Sequence, residues 1–179
     1  MSVRSICVFC GSRKGASSSY EAAATELGSQ IAARGWRLVY GAGDVGLMGA
    51  VASAAQAGGA DTFGVIPEHL VHWEVGKSDL TRYVVTGTMH ERKKVMFMNC
   101  DAVVVLPGGA GSLDEFFEVL TWRQLELHAK PVVLVNVDGY WDPLIGLMQH
   151  VVDQGFADAS VLDFVTICPD VDAVMAKLG

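Results

Sequence analysis

The sequence predicts an α/β domain spanning residues 1–179, in which a parallel β-sheet is covered by helices on both faces. Short apolar segments rich in β-branched residues alternate with longer segments of helical periodicity, a pattern typical of parallel strands joined by crossover helices. Two glycine loops follow predicted strands, where ligands of such sheets bind. The chain length and the lack of low-complexity segments favour a single domain.

Each predicted strand is short and apolar enough to be buried on both faces. We predict strands at Ile6–Cys10, Leu38–Tyr40, Thr62–Ile66, Tyr83–Val85, Ala102–Leu106, Val132–Asn136 and Val165–Ile167. Apolar residues at helical spacing predict the helices between them. These are Tyr20–Arg34, Leu47–Ala57, Met89–Asn99, Ser112–His128, Pro143–Gln154 and Val171–Leu178, with a less regular segment around His69–Leu80.

Composition and charge exclude several classes of partner. The formal net charge of −7 would repel a nucleic-acid backbone or an anionic membrane surface, so we expect neither as a partner. The longest apolar runs have the length of strands, and we expect a cytoplasmic protein. Cys7 and Cys10 fall in one predicted strand and face opposite sides, which disfavours a bridge or a shared metal. We expect no metal site.

The segment that carries most chemical information is the glycine loop Pro107–Ser112, which follows an apolar strand and opens a helix. Glycines allow close approach of a ligand to the backbone, and the positive end of a helix favours an anion such as phosphate. A second interpretation remains open at this point. Ser112 and Glu115 have the spacing of a capping box, so the loop could be a turn before a well-capped helix.

A second loop, Gly41–Gly46, matches the G-x-G-x-x-G pattern of dinucleotide sites. Such sites normally use the first strand–helix unit of the chain, whereas this match lies in the second. We therefore do not expect a complete NAD site, and a tight turn with close helix packing explains the glycines equally well.

The helix after the fourth strand carries two cations, Arg92 and Lys93, beside its apolar stripe. A charge in that position requires a carboxylate or phosphate partner, unless its head reaches water while its stem covers the stripe. A carboxylate near a bound phosphate also needs a balancing cation, and Arg92 is the candidate for Glu115. This combination suggests hydrolysis near a phosphorylated sugar. Asp114, in the same turn as Glu115, is assigned to substrate binding.

Three motifs in sequence order carry a resemblance to a known family. They are Gly41–Gly49, Met89–Lys93 and Pro107–Glu115, within a likeness that runs from Cys10 to about Phe156. The chain resembles the LONELY GUY-type cytokinin riboside 5′-monophosphate phosphoribohydrolases, members of which are often mislabelled as lysine decarboxylases.

The resemblance implies a Rossmann-like fold, no cofactor, and cleavage of the N-glycosidic bond of N6-substituted adenosine 5′-monophosphates to free base and ribose 5-phosphate. Carried over by motif, Arg92 and Glu115 are the catalytic pair. The expected substrate-binding residues are Glu74, Lys93, Gly108, Gly109, Gly111, Ser112 and Thr121. The alternative is a non-catalytic nucleotide-binding or carrier protein on the same scaffold, which would need the loops but not Arg92 together with Glu115.

Two positions depart from the family pattern, because Ser112 stands where threonine is usual and Ala42 where glycine is usual. Ala42 matters only if that residue requires a positive φ. The resemblance also implies at least a homodimer. Apolar residues on more than one face of the helix after the phosphate loop, among them Phe116, Phe117 and Leu120, support this expectation, with Met89–Asn99 as the second interface helix.

Overall fold

The structure, a computed structural model, describes residues 4–71 and 79–179. Its strands are β1 (Ser5–Phe9), β2 (Arg37–Tyr40), β3 (Thr62–Pro67), β4 (Arg82–Thr86), β5 (Ala102–Val105), β6 (Val132–Val135) and β7 (Thr166–Cys168). These seven form one sheet in the order β4-β3-β2-β1-β5-β6-β7, and every neighbouring pair is parallel. The predicted parallel α/β class is confirmed, and each strand lies within one residue of its predicted bounds.

Helices cover both faces of the sheet. They are α1 (Ser18–Ala33), α2 (Gly46–Ala57), α3 (Glu68–Val71), α4 (Met89–Met98), α5 (Ala110–Gln124), α6 (Asp142–Asp153) and α7 (Val171–Leu178). One core contains Leu27 of α1 and Val51 of α2, while a separate core contains Met96 of α4 and Phe116 of α5. Of the less regular segment predicted at 69–80, only residues 69–71 and 79–80 are described.

The central strands β1, β5 and β6 are fully buried, as a sheet covered on both faces requires. Cys7 belongs to the core beneath α4 and α5, whereas Cys10 belongs to the core beneath α1 and α2. The expectation that these two thiols face opposite sides is confirmed. All four cysteines are buried and free.

The start of α5 differs from the prediction. The helix begins at Ala110 with Gly109 as its N-cap, and no side chain caps it. Ser112 therefore lies inside the first turn, and the capping-box interpretation of Ser112 and Glu115 is wrong. A capping box does form at α4, where the Thr88 hydroxyl accepts from the Glu91 N–H and the Glu91 carboxylate accepts from the Thr88 N–H.

The end of α5 also differs, since the helix stops at Gln124 rather than His128. Glu126 has a φ of 59°, and the Leu127 N–H donates to the Trp122 carbonyl oxygen. A left-handed residue with this hydrogen bond is the usual way to close a helix, although glycine is the common residue there. In the part of the chain that the structure describes, no helix combines the length and apolar character required to cross a bilayer.

Candidate active site

A cavity of about 560 Å³ lies at the carboxyl ends of β1, β2 and β5. Three segments line it: residues 10–16 after β1, residues 107–112 after β5, and, after β2, Gly41 together with Leu47 and Met48. Arg92, Glu115 and Tyr140 complete the lining that concerns the chemistry below. Both glycine loops singled out in the sequence therefore open onto one cavity, because parallel strands bring their carboxyl ends to the same edge.

The loop 107–112 exposes backbone N–H groups at this cavity. Among the described residues, no backbone carbonyl accepts a hydrogen bond from the N–H of Ala110, Gly111 or Ser112. These donors, together with the positive end of the α5 dipole, form an arrangement suited to an anion.

The glycines of this loop serve different purposes. A Cβ on Gly108 would lie 2.0 Å from the Ser112 hydroxyl oxygen, so no side chain fits there. A Cβ on Gly109 or Gly111 would meet no protein atom within 4 Å. Gly108 is thus required by packing within the protein, whereas Gly109 and Gly111 leave open space beside the N–H groups at the start of α5.

Arg92 is held rigidly against the wall of the cavity. Its side chain is 6% exposed, its Nε donates to the Val65 carbonyl oxygen at 3.0 Å, and its Nη2 donates to the Gly41 carbonyl oxygen at 2.8 Å. A Cβ on Gly41 would lie 2.0 Å from that Nη2 atom, so this glycine makes room for the guanidinium. Arg92 is therefore buried up to its guanidinium. It does not follow the alternative in which the stem covers the apolar stripe of the helix and the charged head reaches water.

Glu115 is buried one turn into α5 and lines the same cavity. Its charge and that of Arg92 both act on Cys10, which lines the same cavity. Burial raises the pKa of the Cys10 thiol well above its usual range, the Glu115 carboxylate raises it further, and the Arg92 guanidinium opposes this. The fold thus brings a buried carboxylate and a buried guanidinium to one wall.

Lys93 and Asp114 bind each other. The buried Lys93 ammonium lies 2.9 Å from Asp114 Oδ2 and 3.1 Å from Glu118 Oε2. Burial by itself would lower the pKa of Lys93, but hydrogen bonds to the two carboxylates outweigh it and raise this pKa. Neither Lys93 nor Asp114 is among the residues that line the cavity.

Two further substrate-binding candidates lie elsewhere. Thr121 is exposed near the end of α5, where its hydroxyl donates to the Phe117 carbonyl oxygen, and it does not line the cavity. Glu74 lies outside the described residues. Lys94, which follows Lys93 on α4, is exposed.

The conformation of the loop after β2 bears on Ala42, which stands where glycine is usual. Ala42 has a φ of 60°, in the left-handed region that favours glycine. Gly46 has a φ of 63°, and a Cβ there would lie 2.3 Å from the Ser12 carbonyl carbon. The second glycine loop therefore packs closely against the loop after β1.

Sequence reasoning missed several cavity residues, including Tyr20, Arg13, Lys14 and Tyr140. The position of residues 11–16 after β1 could have identified the first loop, because every loop at this edge of a parallel sheet is a candidate. Nothing in the local sequence around Tyr140 points to the loop after β5.

The chain is similar to known proteins over nearly its whole length. The model of a family described as possible lysine decarboxylase matches residues 48–178. A probable cytokinin riboside 5′-monophosphate phosphoribohydrolase of Oryza sativa subsp. japonica is 43% identical over 98% of this chain and 71% of its own length. A cytokinin riboside 5′-monophosphate phosphoribohydrolase of Arabidopsis thaliana is 41% identical over 98% of this chain and 81% of its own length.

A solved structure of the Moco carrier protein of Chlamydomonas reinhardtii shares the fold. Its TM-score is 0.74 at 24% identity, and the alignment covers 98% of this chain and 94% of that one. At this identity the likeness concerns the fold alone.

Proposed function

The chain belongs to the family of cytokinin riboside 5′-monophosphate phosphoribohydrolases, and we propose that it hydrolyses the N-glycosidic bond of adenosine 5′-monophosphates, including N6-substituted ones. The products are the free base and ribose 5-phosphate. One observation carries the proposal: a single cavity contains unclaimed N–H groups at the start of α5, a buried carboxylate at Glu115 and a buried guanidinium at Arg92.

Gly108, Gly109, Gly111 and Ser112 belong to the loop that would bind the 5′-phosphate. The N–H groups at the start of α5 donate to its oxygens, and the open space at Gly109 and Gly111 lets a phosphate approach the backbone. The net negative charge of the chain gives no long-range attraction for a phosphate, so this local site must supply the affinity.

Glu115 acts on the attacking water. Its carboxylate accepts a proton from water as the oxygen bonds to the ribose anomeric carbon, and its negative charge stabilises the oxocarbenium-like sugar. The bond from that carbon to the base nitrogen breaks, and the electron pair leaves with the base. The base takes up one proton from solvent, and Glu115 returns to solvent the proton that it accepted from water.

Arg92 balances this chemistry electrostatically. Two of the five N–H donors of the guanidinium are fixed by the Val65 and Gly41 carbonyl oxygens, which sets the position of its charge. Arg92 and Glu115 line one cavity, so the fixed guanidinium places its positive charge at the site where the carboxylate acts. Lys93 and Asp114 support the site indirectly, because their ion pair joins α4, which carries Arg92, to α5, which carries Glu115.

The test is release of free base, measured by chromatography, from adenosine monophosphate, its N6-isopentenyl form and the matching nucleosides. We expect cleavage of the monophosphates and at least about 10³-fold slower cleavage of the nucleosides, since each charge-assisted hydrogen bond to phosphate contributes about 1.5–3 kcal/mol. Equal turnover of nucleoside and nucleotide would contradict the phosphate site. Binding without any base release would favour the carrier alternative, which the 24% identity to a carrier protein does not itself support.

We also propose a homodimer or larger assembly that uses α4 and α5. Phe116 and Leu120, expected to contribute to the interface, are buried within the monomer. Exposed apolar residues remain at the C-terminal ends of the two helices, namely Met98, Leu125 and Leu127, with Phe117 partly exposed. These ends lie together, because the Phe97 and Trp122 rings are 5.1 Å apart.

An apolar surface of this kind favours contact with a second copy. Sedimentation at assay concentration should show at least a dimer, and a Leu125→Glu/Leu127→Glu variant should shift it toward monomer. A fully active monomeric wild type would contradict this proposal.

The four buried free thiols favour a reducing compartment, and we propose the cytoplasm.

A further inference from the structure

The carbonyl groups of the loop 107–109 are each tied to a different part of the protein. The Pro107 carbonyl oxygen accepts from the Gly11 N–H at 3.0 Å, and the Gly109 carbonyl oxygen accepts from the Leu113 N–H at 3.1 Å. The Gly108 carbonyl oxygen accepts from the Tyr140 hydroxyl at 2.6 Å. Of these three bonds, the one from Tyr140 comes from a side chain.

The direction of these carbonyls matters for binding an anion. A peptide group that turns its oxygen toward the cavity would place a partial negative charge beside the phosphate and would move the adjoining N–H away from it. The peptide group that follows Gly108 can rotate in this way, because glycines on both sides permit many backbone angles. A hydrogen bond to its oxygen removes the unfavourable orientation.

Tyr140 is itself well positioned for this task. It follows a 3₁₀ turn, Val137–Gly139, in which Asp138 has a φ of 52°, and the Tyr140 N–H donates to the Val137 carbonyl oxygen at 3.0 Å. The Asp138 carboxylate accepts a hydrogen bond from the Ser19 hydroxyl at the start of α1.

Ring contacts fix the side chain further. The Tyr140 ring stands edge-on to Tyr20, with centroids 5.4 Å apart, and to Trp141 at 4.7 Å. Such contacts restrict the torsions of the ring, so the hydroxyl reaches the Gly108 carbonyl without a large loss of side-chain entropy.

We propose that Tyr140 is a positioning residue for phosphate binding: its hydroxyl holds the Gly108 carbonyl away from the ligand so that the N–H groups that follow face the phosphate. The identity of the ligand as a 5′-phosphate rests on the proposed function. The residue acts through the loop and takes no part in the proton transfers.

The test is equilibrium binding by titration calorimetry, with ribose 5-phosphate and adenine as separate ligands, so that it does not depend on catalysis. Tyr140→Phe removes only the hydroxyl and keeps the ring contacts. We expect the Kd for ribose 5-phosphate to rise about three- to tenfold, the effect of losing one hydrogen bond, while the Kd for adenine stays unchanged. Tyr83→Phe, on the edge strand β4 and outside the cavity lining, is the matched control and should change neither.

Unchanged binding of ribose 5-phosphate to Tyr140→Phe, an equal loss for both ligands, or a wild type that does not bind ribose 5-phosphate would each overturn the inference. Should Tyr140→Phe fail to fold, Ser19→Ala decides, because it loosens the turn that carries Tyr140. Ser19→Ala should raise the Kd for ribose 5-phosphate by a smaller factor than Tyr140→Phe and leave the Kd for adenine unchanged. An unchanged Kd for ribose 5-phosphate would count against the inference.

The result is separable from that of the proposed function. Weaker binding of ribose 5-phosphate by the variant, in a wild type that releases no base, would support the role of Tyr140 and reject the hydrolase. Base release by the wild type, together with unchanged binding of ribose 5-phosphate by Tyr140→Phe, would support the hydrolase and reject the role of Tyr140.

Discussion

The Gly41→Ala variant tests whether the position of the Arg92 guanidinium controls activity. The added Cβ would lie 2.0 Å from Arg92 Nη2 and 3.0 Å from its Cζ. Ordinary contact distances require the guanidinium to withdraw by roughly 1.5 Å, and Met48 Sδ, 3.3 Å from the same Cβ, limits the remaining space. The substitution thus moves the cation that we propose to be catalytic, without removing its charge.

The expected effect on turnover is large. A displacement of about 1 Å at a catalytic group can cost about 10²-fold, so we expect kcat/KM for adenosine monophosphate to fall by about that factor. The variant also strains or breaks the hydrogen bonds of Arg92 to the Val65 and Gly41 carbonyl oxygens. Because a hydrogen bond from a charged group contributes about 1.5–3 kcal/mol, the free energy of unfolding should fall by about 2–4 kcal/mol.

Two controls isolate the cause. Gly146→Ala places a methyl group in open space on α6 and should leave activity unchanged while stabilising the protein by up to about 1 kcal/mol. In an Arg92→Ala background, Gly41→Ala should cost little more, because the side chain that it displaces is absent. Additive losses in the double variant, or a folded Gly41→Ala protein with near-normal kcat/KM, would refute the reasoning.

Three further predictions concern the same region. Glu115→Gln should lower kcat about 10²-fold or more in a protein that still folds, because the amide cannot accept the proton of water, and near-normal base release would remove Glu115 from catalysis. Gly109→Asp should abolish binding of ribose 5-phosphate in calorimetry by placing a carboxylate beside the anion site, and retained binding would contradict that site. Lys93→Met should lower the free energy of unfolding by about 1–3 kcal/mol at neutral pH, because Asp114 and Glu118 lose their partner. Since the pKa of Lys93 is raised on folding, this difference should persist below about pH 10.5 and shrink as the pH rises above it; denaturant titrations showing no such change would reject the ion pair as a stabilising contact.

The local pattern of the sequence was sufficient for the strands and for most helices. The periodicity of apolar residues is a property of a local segment. An apolar segment such as residues 102–105 can therefore be predicted as a buried strand without knowledge of the rest of the chain. The helix ends required more. The α5 helix starts at Ala110 because the backbone of Gly109 can serve as the N-cap, although Ser112 offered a better capping side chain.

From the sequence by itself, two glycine loops, an arginine on the buried face of a helix and a glutamate near a helix start could be identified as candidates for the site. Its motifs also identified the family. Only the tertiary structure decided which distant groups meet. Arg92 is anchored by carbonyls 27 and 51 residues away, and Tyr140 reaches a carbonyl 32 residues away. Lys93, next to Arg92, instead pairs with Asp114 on another helix. Periodicity reports which face a residue occupies, whereas these contacts depend on the strand order and on the orientation of single carbonyl groups, which no local pattern encodes.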